Sequence, residues 1–158
     1  MEKRYYIAYG SNLNVLQMKL RCPTARIIGT SYIKDYELLF KGSKTGSYLT
    51  IEKKKGEKVP VAIWETQESD ELSLDRYEGC PHFYYKTEMT LPIKGIKSNK
   101  IRIRKAYVYI MHEDRKLGIP SKDYVRTCYK GYMKFKFDPL YLLDALDKSR
   151  RSYDEEGK

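Results

Sequence analysis

Acid–base chemistry has few places to sit in this chain. Only two histidines are present, His82 and His112, so the side chain most often used to move protons near neutral pH is scarce. His82 follows Cys80-Pro81, which suggests a thiol nucleophile with an imidazole base. Residues two apart in a turn before a strand seldom point the same way, and no third group stands ready to orient the ring. A loop cysteine beside a surface histidine explains the same letters. No His-x-x-x-His or Cys-x-x-Cys pair occurs, so no metal is expected, and the glycine patterns of nucleotide-binding loops are absent, so no cofactor is expected. Cys22, Cys80 and Cys128 are odd in number and widely spaced, which fits free thiols in a reduced, cytoplasmic setting.

Two other segments have chemical promise. In "LDRYEGCP" (Leu74 to Pro81), Glu78 is the last side chain before Gly79 at the C-terminal end of a short helix. The helix dipole disfavours a carboxylate there, and partial burial raises its proton affinity further. A carboxyl tuned upward in this way suits a general acid–base residue. An exposed glutamate beside a helix cap would read the same. In "YIAYGSNLN" (Tyr6 to Asn14), an apolar run stops at Gly10 and small polar residues follow. A strand turning abruptly into a helix leaves the backbone N–H groups of Gly10 to Leu13 unpaired, at the positive end of the helix dipole. Such a loop can hold a carboxylate or a developing oxyanion. A capped helix after a tight turn is the plain alternative.

The elements that must position these residues follow from periodicity. "RYYIAY" reads as a short buried strand. In "SNLNVLQMKLRC", Leu13, Leu16 and Leu20 share one helical face, with Ser11 or Asn12 as cap and Cys22-Pro23 as the stop. Ala25 to Phe40 is extended, and "SYLTIEK" and "VPVAIWE" continue as strands joined by a lysine-glycine turn. After the Glu78 helix, "FYYKTEMTLPI" and "IRIRKAYVYIM" form a long strand pair, the second running from an exposed edge into the core. Ser121 caps a helix with Tyr124, Cys128 and Tyr132 along one side, and Asp138-Pro139 opens another. The expected architecture is α+β: a small, mixed, mostly antiparallel β-barrel with peripheral short helices. One domain spans residues 1–148, and residues 149–158 form a charged, frayed tail.

Composition narrows the function classes. With 158 residues and 41% hydrophobic content, the chain supports one folded core. No apolar run is long enough for a membrane span, and the N-terminus lacks a secretory h-region. The net charge of +10 gathers at Lys53 to Lys58 and Ile93 to Lys105, segments that read as solvated hairpin loops. A nucleic-acid surface using the sixteen tyrosines for stacking is the less favoured reading, since no RNA-binding sheet signature or finger spacing occurs.

The order strand–"YGSNL"–helix, a strand set, then "LDRYEG" with its glutamate resembles the γ-glutamylcyclotransferase-like family, which includes the AIG2-like proteins and γ-glutamylamine cyclotransferases. The similarity extends through "AYVYIM" to about Asp147. The resemblance implies a cyclotransferase that converts a γ-glutamyl amide to 5-oxoproline, with Glu78 as its catalytic residue. Tyr9, Gly10, Ser11, Asn12 and Leu13 would hold the γ-glutamyl moiety, and Tyr109 would help line the pocket. It implies no metal or membrane partner, and a monomer or homodimer. An inactive binding module of the same fold is the alternative. The leaving group is not legible, although Tyr84, Tyr85 and Tyr124 are candidates for the pocket mouth.

Overall fold

A closed ring of five strands organises the molecule. The computed structural model describes residues 3–43 and 46–156. The strands are β1 (Arg4–Ala8), β2 (Arg26–Ser43), β3 (Gly46–Thr66), β4 (Tyr84–Gly95) and β5 (Ile101–Met111), with a short β6 (Lys116–Leu117) added beside β2. Neighbours run β3-β1-β5-β4-β2, and β2 pairs back on β3 to close the barrel. The β1–β5 pair is parallel and the others are antiparallel. This is the mixed barrel expected from the sequence.

The inward positions of β1 and β5 explain the closure. Ile7 and Ala8 are fully buried, as are Val108 and Met111, and the last six residues of β5 are all buried. Their partners on β4 follow an antiparallel register from Tyr84 opposite Met111 to Lys94 opposite Ile101. The exposed first half of β5 and its buried second half match the sequence expectation.

The lysine-glycine segment is not a hairpin loop. β3 continues straight through it, with Tyr36 opposite Lys53 and Lys34 opposite Lys58. Residues 54–57 bulge opposite Asp35, which has φ 62° and accepts a hydrogen bond from Gly56 N–H at 3.0 Å. Gly56 itself has φ 88°, a conformation that glycine adopts without steric cost. The extra residues are absorbed by a bulge, and the β2–β3 register runs on to Ser43 opposite Gly46.

Four helices pack around the ring: α1 (Val15–Arg21), α2 (Glu68–Tyr77), α3 (Lys122–Phe135) and α4 (Leu140–Glu156). The first helical region differs from its expected form. Ser11–Leu13 is a 3-10 turn, and the cap of α1 is Asn14, whose side chain accepts from Gln17 N–H. Leu16 and Leu20 are 74% and 82% exposed, while Met18 is fully buried. The 3-10 turn rotates the helix face, because its residues advance by a different angle from α-helical ones.

The tail also departs from expectation. α4 runs on to Glu156, where the sequence suggested fraying from residue 149. Ser149 is buried and donates to the Phe40 carbonyl at 3.2 Å, Lys148 pairs with Glu37 at 2.7 Å, and Arg151 with Asp147 at 2.5 Å. Contact with β2 stabilises what composition alone marked as solvated. Among the described residues, no helix is long and apolar enough to cross a membrane.

Candidate active site

Glu78 sits at the C-cap of α2, and Gly79 follows at φ 61°. The Glu78 N–H closes on the Leu74 carbonyl at 2.9 Å, and Cys80 N–H reaches back to the Asp75 carbonyl at 2.9 Å. These bonds end the helix tightly and leave the half-buried Glu78 side chain lining a cavity. Burial pushes its pKa from the usual 4.5 up to about 7, and the Arg21 charge partly opposes that rise. Among the described residues, no side-chain hydrogen bond to the Glu78 carboxyl accompanies these two effects. A free carboxyl poised near neutrality can both take and return a proton.

Opposite it lies the turn after β1. Gly10, Ser11 and Asn12 line the same cavity as Glu78, a space of about 380 Å³. A side chain at Gly10 would place its Cβ 3.4 Å from Leu49 Cβ and 3.5 Å from the Tyr124 hydroxyl, both on the cavity wall. Glycine therefore keeps this part of the wall clear. Leu13 behaves differently from its expected role. Its N–H donates to the Gly10 carbonyl at 3.0 Å and its side chain is fully buried behind the turn, outside the cavity lining. Among the described residues, the N–H groups of Gly10, Ser11 and Asn12 make no turn or cap hydrogen bond to another backbone group.

Aromatic rings form most of the remaining wall. Tyr6, Tyr9, Tyr84, Tyr109 and Tyr124 all face it. Tyr9 donates to the Tyr109 carbonyl at 2.6 Å, and Tyr84 donates to the Leu49 carbonyl at 2.8 Å. Towards the mouth, Tyr48 packs edge-on against Tyr124 and Phe83, at 5.2 and 6.2 Å between ring centres. Tyr84 and Tyr124 thus belong to the cavity, but Tyr85 does not: its hydroxyl donates to Glu113 at 2.5 Å outside it. His82 is exposed, and the three cysteines are free, with Cys22 and Cys128 buried. Burial pushes both of those thiols up to about 12, far from nucleophilic character at neutral pH.

The model of the family described as gamma-glutamyl cyclotransferase, AIG2-like, matches residues 6–126, which include both the Gly10 turn and Glu78. The chain belongs to that family. Bovine gamma-glutamylcyclotransferase is 34% identical over 100 residues, covering 59% of this chain and 50% of the relative. The human protein of the same name is 35% identical over 91 residues, covering 53% and 48%. The chain therefore spans about half the length of the curated relatives it matches. Among solved structures, a gamma-glutamyl cyclotransferase superposes with a TM-score of 0.73 at 24% identity, over 94% of this chain and 87% of the other. A mouse AIG2-like protein superposes at 0.54 and 19% identity, over 79% and 84%. These structures share the fold of this γ-glutamylcyclotransferase family member.

Sequence reasoning missed Tyr6, Tyr77 and Arg21. Tyr6 looked like an ordinary strand residue, and Arg21 like the basic end of a helix. Arg21 returns from the far end of α1 to donate to Asn12 Oδ1, and its guanidinium lies 3.5 Å over the Tyr77 ring. No local pattern signals such a return, because it depends on how α1 and α2 dock.

Proposed function

We propose that this protein converts a γ-glutamyl amide to 5-oxoproline and releases the amine, with Glu78 as the general acid–base group. The observation that carries this reading is that Glu78, with its pKa raised to about 7, shares one cavity with the Gly10–Asn12 turn. The substrate brings its own nucleophile. Glu78 takes a proton from the α-ammonium, the freed nitrogen attacks the γ-carbonyl carbon, and a five-membered ring closes. The carbonyl oxygen becomes an oxyanion within reach of the turn's N–H groups. The amide C–N bond then breaks as the carbonyl re-forms and Glu78 returns its proton to the leaving nitrogen; the second proton of the ring nitrogen follows through the same carboxylate, so the amine departs as an ammonium and the lactam keeps one N–H. Ring closure is intramolecular, so holding the chain folded removes several kcal/mol of the barrier, on the order of 7 or more in well-oriented cases. Tyr9 and Tyr109 complete the walls around the glutamyl part. The aromatic mouth, Tyr48 and Phe83, faces the leaving group. A reduced, cytoplasmic compartment suits the three free thiols.

The direct assay incubates the protein with a panel of γ-glutamyl amino acids, peptides and amines and measures 5-oxoproline. Glu78→Gln is expected to lower kcat by about a thousandfold. Turnover unchanged by Glu78→Gln overturns the mechanism. Stabilisation by these compounds with no product from any of them identifies a binding module instead. For the active protein, Glu78 must be ionised to accept the proton, so kcat/KM is expected to fall as pH drops below about 7.

A further inference from the structure

The β4–β5 hairpin carries a one-sided surface. Residues 90–105 hold six cations, Lys94, Lys97, Lys100, Arg102, Arg104 and Lys105, and no acidic side chain. Among the described residues, none of the six forms an ion pair. Large apolar side chains stand among them in water: Ile96 is 49% exposed, Ile101 68% and Ile103 67%. The other lysine-rich segment, Lys53 to Lys58, has no apolar residue and includes Glu57.

The register sorts these side chains by face. Ile101 is opposite Lys94, Ile103 opposite Pro92 and Lys105 opposite Thr90, and all six are exposed. Residues directly opposite share a face, so two isoleucines and a proline form a stripe with a lysine at each end. On the reverse face, Arg102 and Arg104 stand opposite the buried Ile93 and Leu91. There they line, with Lys100, a cleft of about 280 Å³. The acid in that cleft, Glu65, is already paired with Arg26 and Lys3. The tip is tied to the barrel, since Ile96 N–H donates to the Ile28 carbonyl at 3.1 Å.

Charge and apolarity together select the partner. A second copy of this hairpin would set six cations against six. A nucleic acid would use the cations but leave the isoleucines in water, and the stripe offers no aromatic ring for a base to stack on. A membrane surface bearing anionic lipids uses both, because apolar side chains enter the boundary between headgroups and acyl chains while Lys and Arg meet the negative headgroups. We propose that the β4–β5 hairpin docks this protein on anionic lipid membranes, with Ile101 and Ile103 entering the boundary and the surrounding cations holding headgroups. The contact is peripheral and spans nothing. Roughly 26 Å of strand separates Ile101 from Tyr109 in the cavity wall. Docking therefore leaves turnover by the Glu78 cavity unchanged.

The test sediments the intact protein with vesicles of phosphatidylcholine, either alone or with about a third phosphatidylserine, at about 0.05 and 0.5 M salt. Binding to the anionic vesicles is expected to exceed binding to the neutral ones by about tenfold or more, and to fall away at the higher salt. Ile101→Ser with Ile103→Ser is expected to weaken it about tenfold with no change of charge. Lys100→Ser with Arg102→Ser is expected to weaken it about twenty-fivefold, near fivefold per cation. Lys53→Ser with Lys54→Ser should change it less than about twofold. Should the isoleucine pair disturb the strand, seen as a lowered melting temperature, Ile101→Trp gives a second reading: its emission shifts to the blue on anionic vesicles, while Trp64 is already buried. Equal binding to both vesicles, no binding at low salt, no effect of the isoleucine pair together with no shift at Ile101→Trp, or an equal loss from the Lys53–Lys54 pair overturns the inference. Tighter binding to a single-stranded RNA, unaffected by the isoleucine pair, assigns the surface to nucleic acid and overturns it as well.

Discussion

Glu78 combines two opposed demands in one side chain, and stability should record them. Its carboxyl is neutral in the folded protein up to about pH 7, whereas in the unfolded chain it ionises near 4.5. Between those values the folded state holds the extra proton, so stability falls as pH rises, and above about 7 the buried charge is a standing cost. Glu78→Gln removes that cost. It should therefore stabilise the protein at pH 8 by about 3 kcal/mol and leave it nearly unchanged at pH 4, measured by urea unfolding at both values. Gly10 poses a different question. A methyl group there meets Leu49 and Tyr124 at ordinary contact distance, 3.4 to 3.6 Å, so the fold tolerates Gly10→Ala. The methyl narrows the cavity, and KM is expected to rise by about tenfold or more with the melting temperature little changed. Both Glu78 and Gly10 were legible, because a glutamate before a terminal glycine and a glycine between strand and helix are local signals. The contacts of Tyr6 and Arg21 were not, since each finds its partner, Asn12, on another element.

Helix α1 and helix α4 show what local periodicity omits. Leu16 and Leu20 have the spacing of a buried face, yet both point to solvent because the 3-10 turn ahead of them resets the phase. The buried anchor is Met18, and the cap is Asn14 rather than Ser11 or Asn12. That leaves Ser11 and Asn12 free to face the cavity. Asn14→Ala should cost about 1 kcal/mol of stability by chemical denaturation, the ordinary value of a lost cap. At the other end of the chain, α4 is held by Ser149 and Lys148 against β2. Removing residues 149–158 is expected to cost about 1–3 kcal/mol, because a buried hydrogen bond and packed helix are lost together. A frayed tail would give no change. The charged letters of "SRRSYDEEGK" concealed this, as the buried contact is carried by a small residue, Ser149.

Across the whole molecule, the barrel brings three distant pieces of chain to one opening: the end of β1, the end of α2, and the inner half of β5. The basic charge is placed elsewhere. Residues 53–58 are exposed, as are Lys94, Lys97, Lys100, Arg102 and Lys105 of the β4–β5 hairpin. Acidic partners at the surface set the low-pH side of stability. Glu71 is held below the usual carboxylate range by Arg4 and then Lys86, and Glu65 by Arg26 and then Lys3. Those contributions are complete above about 4.5 and are lost as pH falls through the lowered values, while Glu78 erodes stability from 4.5 towards 7. The melting temperature should therefore peak near pH 5 and decline towards 8, and Glu78→Gln should flatten the decline but keep the acid limb. The sequence by itself determined the strand and helix types, the glycine turn and the carboxyl at a helix end, because these depend on neighbours within a few residues. Whether that turn and that carboxyl shared one space was decided only by closure of the barrel. The partners of the tyrosine hydroxyls were decided there too, because folding brings Asn12 to Tyr6 and Asp75 to Tyr109 from other elements of the chain.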